Sequence, residues 1–240
     1  MNLLQIRQQF RELSGRFNLV NIDGSDNGAN FFINEGRKFL DRMDDTKNSF
    51  ASRYKVLNTG RFSASVEQCR AIQEVWLATT VGRWQLEKKS LQDLMTGYLS
   101  GFPTGRTNGT PLYYAPCIVR YIPEGAIPAD IGAFIGFVEN PAGSSSDFNS
   151  ILLNVPVDRQ SMLDIRGLYY SKELVADTDV NYWSECNPSL LLMSAMRYIE
   201  VFNRNTQGVK DWESAMSTDI KQLGMDFIEQ QIAEVTEMEG

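Results

Sequence analysis

Hydrophobic and polar positions alternate with a helical period near the N-terminus of this chain. Apolar residues recur every three or four positions in residues 2–17 and again from about Ala29 to Met43. This spacing places side chains on one face of a helix, so both segments predict amphipathic helices. The expected inward residues are Leu3, Ile6, Phe10, Leu13 and Phe17 in the first helix, and Phe32, Ile33, Gly36, Phe39, Leu40 and Met43 in the second.

The stretch from Pro188 to Gly240 predicts a helical hairpin. Residues 190–202 are apolar nearly all round, which indicates a buried helix, and Pro188 suits its first position. After a polar break at residues 203–208, apolar residues recur in steps of three and four from Trp212 to Met238. The buried leg needs partners, and we expect the two N-terminal helices to cover it.

Between these helices, from about Tyr54, the pattern changes to that of strands. The sequence therefore predicts an α+β fold, in which a helical bundle formed by the N- and C-terminal helices carries an inserted, mostly antiparallel β-sheet subdomain. The expected boundaries are 1–53, 54–175 and 176–240. A short helix from Leu91 to Leu99 is expected within the insert, capped by Ser90. The expected strands are Tyr54–Leu57, Ala71–Thr80, Val81–Leu86, Leu112–Ile122, Ala133–Val138, Ser150–Val157 and Ser161–Tyr170.

The absence of histidine is the most informative feature of the composition. Among 240 residues there is none, which excludes Ser-His-Asp and Cys-His catalytic groups and any zinc site that contains histidine. The three cysteines, Cys69, Cys117 and Cys186, lie far apart and cannot supply a four-cysteine metal site within one chain. We therefore expect neither catalysis nor a bound metal or cofactor.

Charge and hydropathy limit the partners and the location. The formal net charge of −7 argues against non-specific attraction to DNA phosphates. No apolar run approaches the ~20 residues of a membrane span, and the first residues lack the apolar core of a signal peptide. With an odd number of scattered cysteines, we expect a protein that stays in a reducing cytoplasm.

Three loops resemble ligand-binding motifs and then depart from them. Residues 23–28 match the opening of a calcium loop, but Asn34 stands where the bidentate glutamate belongs. Residues 177–181 repeat the alternating donors, with Tyr182 in place of glycine. Residues 101–107 are one residue short of a phosphate-binding loop and carry Arg106 where lysine belongs. We interpret the two acidic loops as helix-capping turns.

Two further patterns leave other functions open. Clustered carboxylates at Asp44/Asp45, Asp177/Asp179 and Glu234/Glu237/Glu239 leave a glycoside hydrolase as the last-ranked hypothesis, although a solvated face explains such charge. Aromatic residues of the expected sheet would stack on sugars if they formed one stripe, although packing in the sheet core is the simpler interpretation. These aromatic residues are Trp76, Trp84, Tyr113, Tyr114 and Tyr121.

The last apolar stripe of the chain is a candidate partner-binding surface. It lies close to the C-terminal end of the sequence, where docking to another chain is common. Its members are Phe227, Ile228, Ile232, Val235 and Met238.

Several short motifs together resemble a known family. They are residues 28–41 (GANFFINEGRKFLD), residues 166–170 (RGLYY), the acidic run from Asp177 to Trp183, and Pro188 opening the next helix. In this order, around an inserted sheet, they resemble the adaptor, or head-to-tail connector, proteins of tailed bacteriophages. The resemblance spans most of the chain, although each motif is short.

This resemblance implies a structural virion protein of the neck, made in the cytoplasm of the bacterial host. Such adaptors form homo-oligomeric rings, about twelve copies each, beneath the portal protein. They extend the DNA channel without specific DNA binding and contact the next neck or tail protein. Their C-terminal segment commonly reaches the portal, which by position alone assigns Phe227 to Met238 to portal docking. The alternative is a virion module that binds carbohydrate through its sheet aromatics.

Overall fold

The chain divides into two compact units, which are described separately. The helical unit comprises Met1–Ser49 and Tyr170–Gly240, and the sheet unit comprises Phe50–Tyr169. The computed structural model describes residues 1–43, 50–97, 107–118 and 149–236. For Met95, Cys117, Ile118, Asn149 and residues 226–236, the description covers the backbone alone. The expected α+β fold, with helices from both ends of the chain and an inserted antiparallel sheet, is confirmed.

The helical unit contains five helices in its described part. Both ends of the chain contribute helices to this unit. Residues from α1, α2, α5 and α6 meet in one hydrophobic core, so the N-terminal helices cover the buried C-terminal helix as expected. The fully buried members include Ile6, Ile33, Leu191 and Met216. The helices are α1 (Leu3–Ser14), α2 (Ala29–Met43), α4 (Tyr182–Cys186), α5 (Pro188–Phe202) and α6 (Thr206–Thr236).

Helix α1 begins and ends at defined capping residues. The Asn2 side chain accepts a hydrogen bond from the Gln5 backbone, and the Gln5 side chain accepts one from the Asn2 backbone. At the other end Gly15 has φ of 65°, a left-handed conformation that favours glycine, and its N–H donates to the Arg11 carbonyl at 3.1 Å. The helix therefore ends at Ser14, three residues before the expected end.

Two residues that the pattern placed in the core lie on the surface instead. Leu13 is 65% exposed, and Phe17 is similarly exposed. Phe17 follows the Gly15 cap, so it no longer lies on the helix face, and its ring packs under the Arg11 guanidinium at 5.1 Å. The prediction that both residues are buried was wrong, because periodicity does not show which part of a helix is covered by other elements.

Helices α2 and α5 pack closely at Gly36. A Cβ atom at this position would lie 2.5 Å from Ser194 Oγ and 2.8 Å from the Ala195 backbone nitrogen. Only glycine allows this approach, so its helix-propensity cost of about 1 kcal/mol is offset by packing. Ile33 and Leu40 on the same face are fully buried, whereas Phe32, Phe39 and Met43 are partly buried against the same core.

The C-terminal helices follow the predicted hairpin. Pro188 occupies the first turn of α5, and most of that helix is buried, although Val201 and Phe202 at its end are exposed. Helix α6 has 31 residues and packs against the core through Trp212, Met216, Ile220 and Leu223. None of the described helices combines the length and apolar character that crossing a membrane requires.

The sheet unit contains two four-stranded sheets among its described residues. One has the antiparallel order β1-β8-β3-β4, and the other has the order β2-β7-β6-β5, in which the β5–β6 pair is parallel. The strands are β1 (Phe50–Leu57), β2 (Ser63–Ser65), β3 (Cys69–Ala78), β4 (Arg83–Gln85), β5 (Glu87–Lys88), β6 (Tyr113–Ile118), β7 (Asn149–Leu153) and β8 (Ser161–Tyr169). Helix α3 (Leu91–Gly97) lies between β5 and β6.

Both sheets contribute to one hydrophobic core. Val75 and Leu77 of β3 pair with Ile165 and Leu163 of β8, and all four are buried on the same face. This core also contains residues of the second sheet, such as Ile151 of β7. Ser90 caps α3 as expected, accepting a hydrogen bond from the Asp93 backbone at 3.0 Å. The expected strand at residues 133–138 lies outside the described residues.

Candidate interaction surfaces

The predicted docking residues lie on the second half of α6. Phe227, Ile228, Ile232 and Val235 belong to the part of this helix whose backbone alone is described, and Met238 lies outside the described residues. Up to Leu223 the helix packs against the core of the helical unit, whereas Met225 is exposed. The last core contact in the described side chains therefore comes before the predicted docking segment.

An apolar groove of about 750 Å³ lies on the helical unit. It runs between the end of α1, the α5 helix and the start of α6. Its apolar lining includes Leu13, Leu192, Met193, Met196, Ile199 and Trp212. Methionine side chains adapt to partners of different shape, a property common at binding surfaces.

Polar side chains also line this groove. Arg16 donates a hydrogen bond from Nη2 to Asn203 Oδ1 at 2.9 Å, and both residues line the groove together with Glu200. Leu13, which sequence periodicity assigned to the core, is part of the exposed lining. A lining of apolar side chains together with polar ones is also found at protein–protein interfaces.

A second apolar surface lies where the start of α2 meets the end of α5. The rings of Phe31 and Phe202 meet edge to face at 5.9 Å, and Phe32 contacts both at 5.4 and 5.6 Å. Phe202 is 62% exposed, and Phe31 is also exposed. We call Phe31, Phe32 and Phe202 the aromatic patch. It shares no residue with the groove.

Three polar residues lie on the buried face of α2, where the hydrophobic pattern gave no sign of them. Asn34 forms a reciprocal pair with Leu174, because its amide donates to the Leu174 carbonyl at 2.9 Å and its oxygen accepts from the Leu174 N–H at 3.0 Å. One turn further on, Arg37 donates to the Ser171 carbonyl. The third residue, Asp41, accepts from Ser171 as well.

Asp41 is surrounded by donors. Its Oδ1 accepts from Trp183 Nε1 at 2.7 Å, and its Oδ2 accepts from both the backbone and the hydroxyl of Ser171 at 3.0 Å. Burial raises the pKa of Asp41, and these donors together with the Arg37 charge oppose that rise. Burial likewise lowers the pKa of Arg37. The two residues tie the segment after Tyr170 to α2 and have no access to a ligand.

The acidic turn at residues 177–181 caps helices. Asp179 Oδ2 accepts from the Val175 and Ala176 N–H groups at 2.9 Å, and Lys172 donates to its other oxygen. These bonds lower the pKa of Asp179 to about 2, the Lys172 bond contributing most. Asn181 caps α4 through a reciprocal pair with Ser184. The interpretation as a capping turn is confirmed here.

The loop that resembles a calcium site also serves as a cap. Asp23 accepts from the backbone and hydroxyl of Ser25, and Asp26 Oδ1 accepts from the Asn30 N–H at 2.9 Å in the first turn of α2. The side-chain bond from Ser25 is the main cause of the lowered pKa of Asp23. In the described part of the chain, no group of three His, Cys, Asp or Glu residues could hold a metal ion.

Among the described residues, the sheet aromatics are not arranged as one stripe. Trp84 pairs with the buried Leu77, whereas Trp76 pairs with Gln85, so the two indoles lie on opposite faces of β3 and β4. Trp84 donates to the Pro111 carbonyl at 3.1 Å, and Tyr114 is buried. The guanidinium groups of Arg83 and Arg166 lie over the Trp76 ring, 5.0 and 5.7 Å from its centroid.

Some sequence predictions fall outside the described residues. They concern Asp44 and Asp45, the start of the Gly101–Thr107 loop, Tyr121, and the acidic residues Glu237 and Glu239. For Glu234 only the backbone of α6 is described.

Comparison with known proteins finds no matching family model and no significantly similar curated protein.

Proposed function

We propose that this protein is a structural adaptor of a bacteriophage neck that assembles into a ring beneath the portal. The observation that carries the proposal is the pair of distinct apolar surfaces, the groove and the aromatic patch, on one helical unit. A ring of identical subunits needs a different surface on each side of every subunit, because its contacts are heterologous. The groove on one copy would receive the aromatic patch of the next.

The polar residues of the capping turns and of α2 support the same proposal. Asn34, Arg37, Asp41, Asn181 and Trp183 all belong to the motifs that resemble phage adaptors. Their hydrogen bonds stay within the helical unit and hold its segments together. The polar residues of the motifs thus hold the helical unit together, whereas Phe31 and Phe32 of the first motif belong to the aromatic patch.

In this proposal the C-terminal half of α6 docks to the portal protein, and DNA passes through the ring without specific contacts. The net charge of −7 would keep DNA from adhering to the protein. The next neck or tail protein would bind the opposite side of the ring.

Quantitative peptide mass spectrometry of purified virions tests the proposal first. The expected result is about twelve copies per particle, in proportion to the portal protein. Absence of the chain from virions would refute the structural role, and hundreds of copies would instead indicate a capsid or tail-tube protein.

A variant pair tests the ring contact itself. Phe202→Ser should abolish ring assembly, because it removes an exposed aromatic ring while the buried core is kept. Val175→Ser, at another exposed apolar position of the same unit, is the matched control and should assemble normally. Equal assembly of both variants in electron micrographs would contradict the use of the aromatic patch.

Portal docking has its own test. Replacing Ile228 and Ile232 with alanine should weaken binding to the portal protein, whereas replacing Gln230 and Gln231 on the same helix should not. Binding is measured by co-sedimentation with portal rings. Normal docking of a chain that lacks residues 226–240 would show that the assignment of this segment is wrong.

A further inference from the structure

Strand β1 is an unusual edge in the sheet unit. It has eight residues and ends one side of its sheet, whereas the other edge strands in the described part of this unit, β4, β2 and β5, have three, three and two residues. A long edge presents a row of backbone donors and acceptors to any extended chain, and short edges are a common protection against such pairing.

β1 also lacks two further protections, a proline and a bulge. It contains no proline, and it pairs with β8 without a bulge from Phe50 to Leu57. Its two basic residues are drawn to the inner face, because Lys55 donates to the Ser65 carbonyl at 3.0 Å and the Arg53 guanidinium lies over the Tyr169 ring. Neither charge stands on the outer face.

The outer face of β1 carries only neutral side chains. They are Phe50, Ser52, Tyr54 and Val56, which alternate with the inner residues along the strand. Tyr54 is 65% exposed, and Phe50 and Val56 are also exposed. A largely apolar exposed stripe, beside a backbone edge that pairs with no other described strand, is the pattern that accepts an added strand.

We propose that β1 pairs with β1 of a second copy of this chain, antiparallel and about a two-fold axis. Residues opposite each other in such a pair share one face of the sheet. With Ser52 opposite its own symmetry mate, Phe50 faces Tyr54 of the other copy and Ala51 faces Arg53, so no like charges meet. Registers centred on Arg53 or Tyr54 place Arg53 opposite Arg53 or opposite Lys55, which is unfavourable. A register centred on Ala51 pairs only Phe50–Ser52 within the strand.

The other edges in the described part of the unit fit β1 less well. Pairing with β4, β2 or β5 would engage at most three residues of the partner strand. The β1 pair engages five residues of each copy, Phe50–Tyr54, a usual strand length. Because a two-fold contact joins two copies and cannot close a ring, this dimer is a form of the free chain and does not rest on the proposed ring.

Analytical ultracentrifugation of the full chain tests the dimer. The unsubstituted protein should sediment as a reversible dimer, and Tyr54→Lys should weaken dimerisation by about tenfold or more, since each dimer contains the change twice. Val81→Lys is the control, because it adds the same charge at an exposed apolar residue outside β1. A monomer, a larger ring, or equal loss in both variants would overturn the proposal.

Cysteine cross-linking tests the register. Ser52→Cys should form a disulfide between two copies under mild oxidation, because the two residues face each other at the axis. Tyr54→Cys should not, because its partner in this register is Phe50. The unsubstituted chain measures any background from the exposed Cys186. Cross-linking through Tyr54→Cys, or through neither variant, would overturn the proposed pairing.

Discussion

Two buried aspartates show how differently the two units of this protein hold a carboxylate. Asp41 lies in the helical unit among groups fixed to the fold, the Trp183 indole and the backbone and hydroxyl of Ser171. Asp164 lies in the sheet unit and meets the Ser52 hydroxyl and the arginines Arg83 and Arg166. Both side chains are nearly inaccessible.

The two sites differ in whether the neighbouring arginine can reach solvent when the aspartate is removed. Arg37 beside Asp41 is 2% exposed and cannot turn to solvent. The Arg83 side chain beside Asp164 is 46% exposed, so water can replace its partner. A buried charge left without a partner is expensive, whereas one that reaches water is not. We therefore expect the helical unit to depend more on its aspartate than the sheet unit does.

The largest effect is expected for Asp41→Ala. This change leaves the Trp183 indole, the Ser171 donors and the Arg37 charge unsatisfied in the core. The unfolding free energy should fall by about 3–5 kcal/mol in urea denaturation. Asp158→Ala, at an exposed ion pair, is the control and should leave stability unchanged. Equal stability of the two variants would refute the role given to Asp41.

A smaller effect is expected for Asp164→Ala. The arginines can be solvated after the change, so the loss should be about 1–2 kcal/mol. Hydrogen-exchange mass spectrometry should place the faster exchange in strands β1, β8 and β4, which Asp164 joins. If Asp164→Ala lowered the unfolding free energy as much as Asp41→Ala does, the two units would not differ in their dependence on a buried aspartate.

The pH dependence of stability sharpens the comparison. Because burial raises the pKa of Asp41 in the folded chain, the protonated carboxyl stabilises the fold fully below its ordinary pKa of 3.8. This contribution is lost as the pH rises through the folded pKa, by about 1.4 kcal/mol for each pH unit between the two values.

Asp41→Asn cannot titrate and supplies the reference. The difference in unfolding free energy between the unsubstituted chain and this variant should fall as the pH rises above 3.8. Denaturation at a series of pH values measures it. A difference that grows over this range would mean that the donors and Arg37 outweigh burial.

The smallest effect is expected for Arg83→Lys. Lysine keeps the charge near Asp164, and Arg166 Nε stays 3.4 Å from the same carboxylate oxygen. The loss should be below about 1 kcal/mol in urea denaturation. A loss of several kcal/mol would show that the planar guanidinium between Asp164 and Trp76 is required.

Periodicity predicted the helices accurately and their buried surfaces less so. The predicted helix from Ala29 to Met43 has those bounds, and Pro188 begins α5 as expected. The pattern could not show that Asn34, Arg37 and Asp41 are buried, because polar residues on an apolar face look like interruptions until their partners are known. Their partners lie about 130–140 residues away in the chain.

The apolar groove and the aromatic patch were not predicted from the sequence. The apolar stripe of α6 was chosen by position, whereas the groove and the aromatic patch combine residues from helices far apart in sequence. Leu13 and Phe202 were expected to be buried with the rest of their helices. Both side chains are exposed, and they belong to the groove and to the aromatic patch, respectively. Whether such a residue is exposed depends on where the neighbouring helices end.

The sequence by itself determined the α+β class, the helices at both ends and the inserted strands, because these follow from periodicity, caps and turn residues that act locally. Only the tertiary structure decided that the described strands of the insert form two sheets with a shared core, that Trp76 and Trp84 face opposite ways, and that β1 lies at the edge of its sheet among those strands. The physical reason is that strand order, register and burial depend on contacts between segments that no local pattern records.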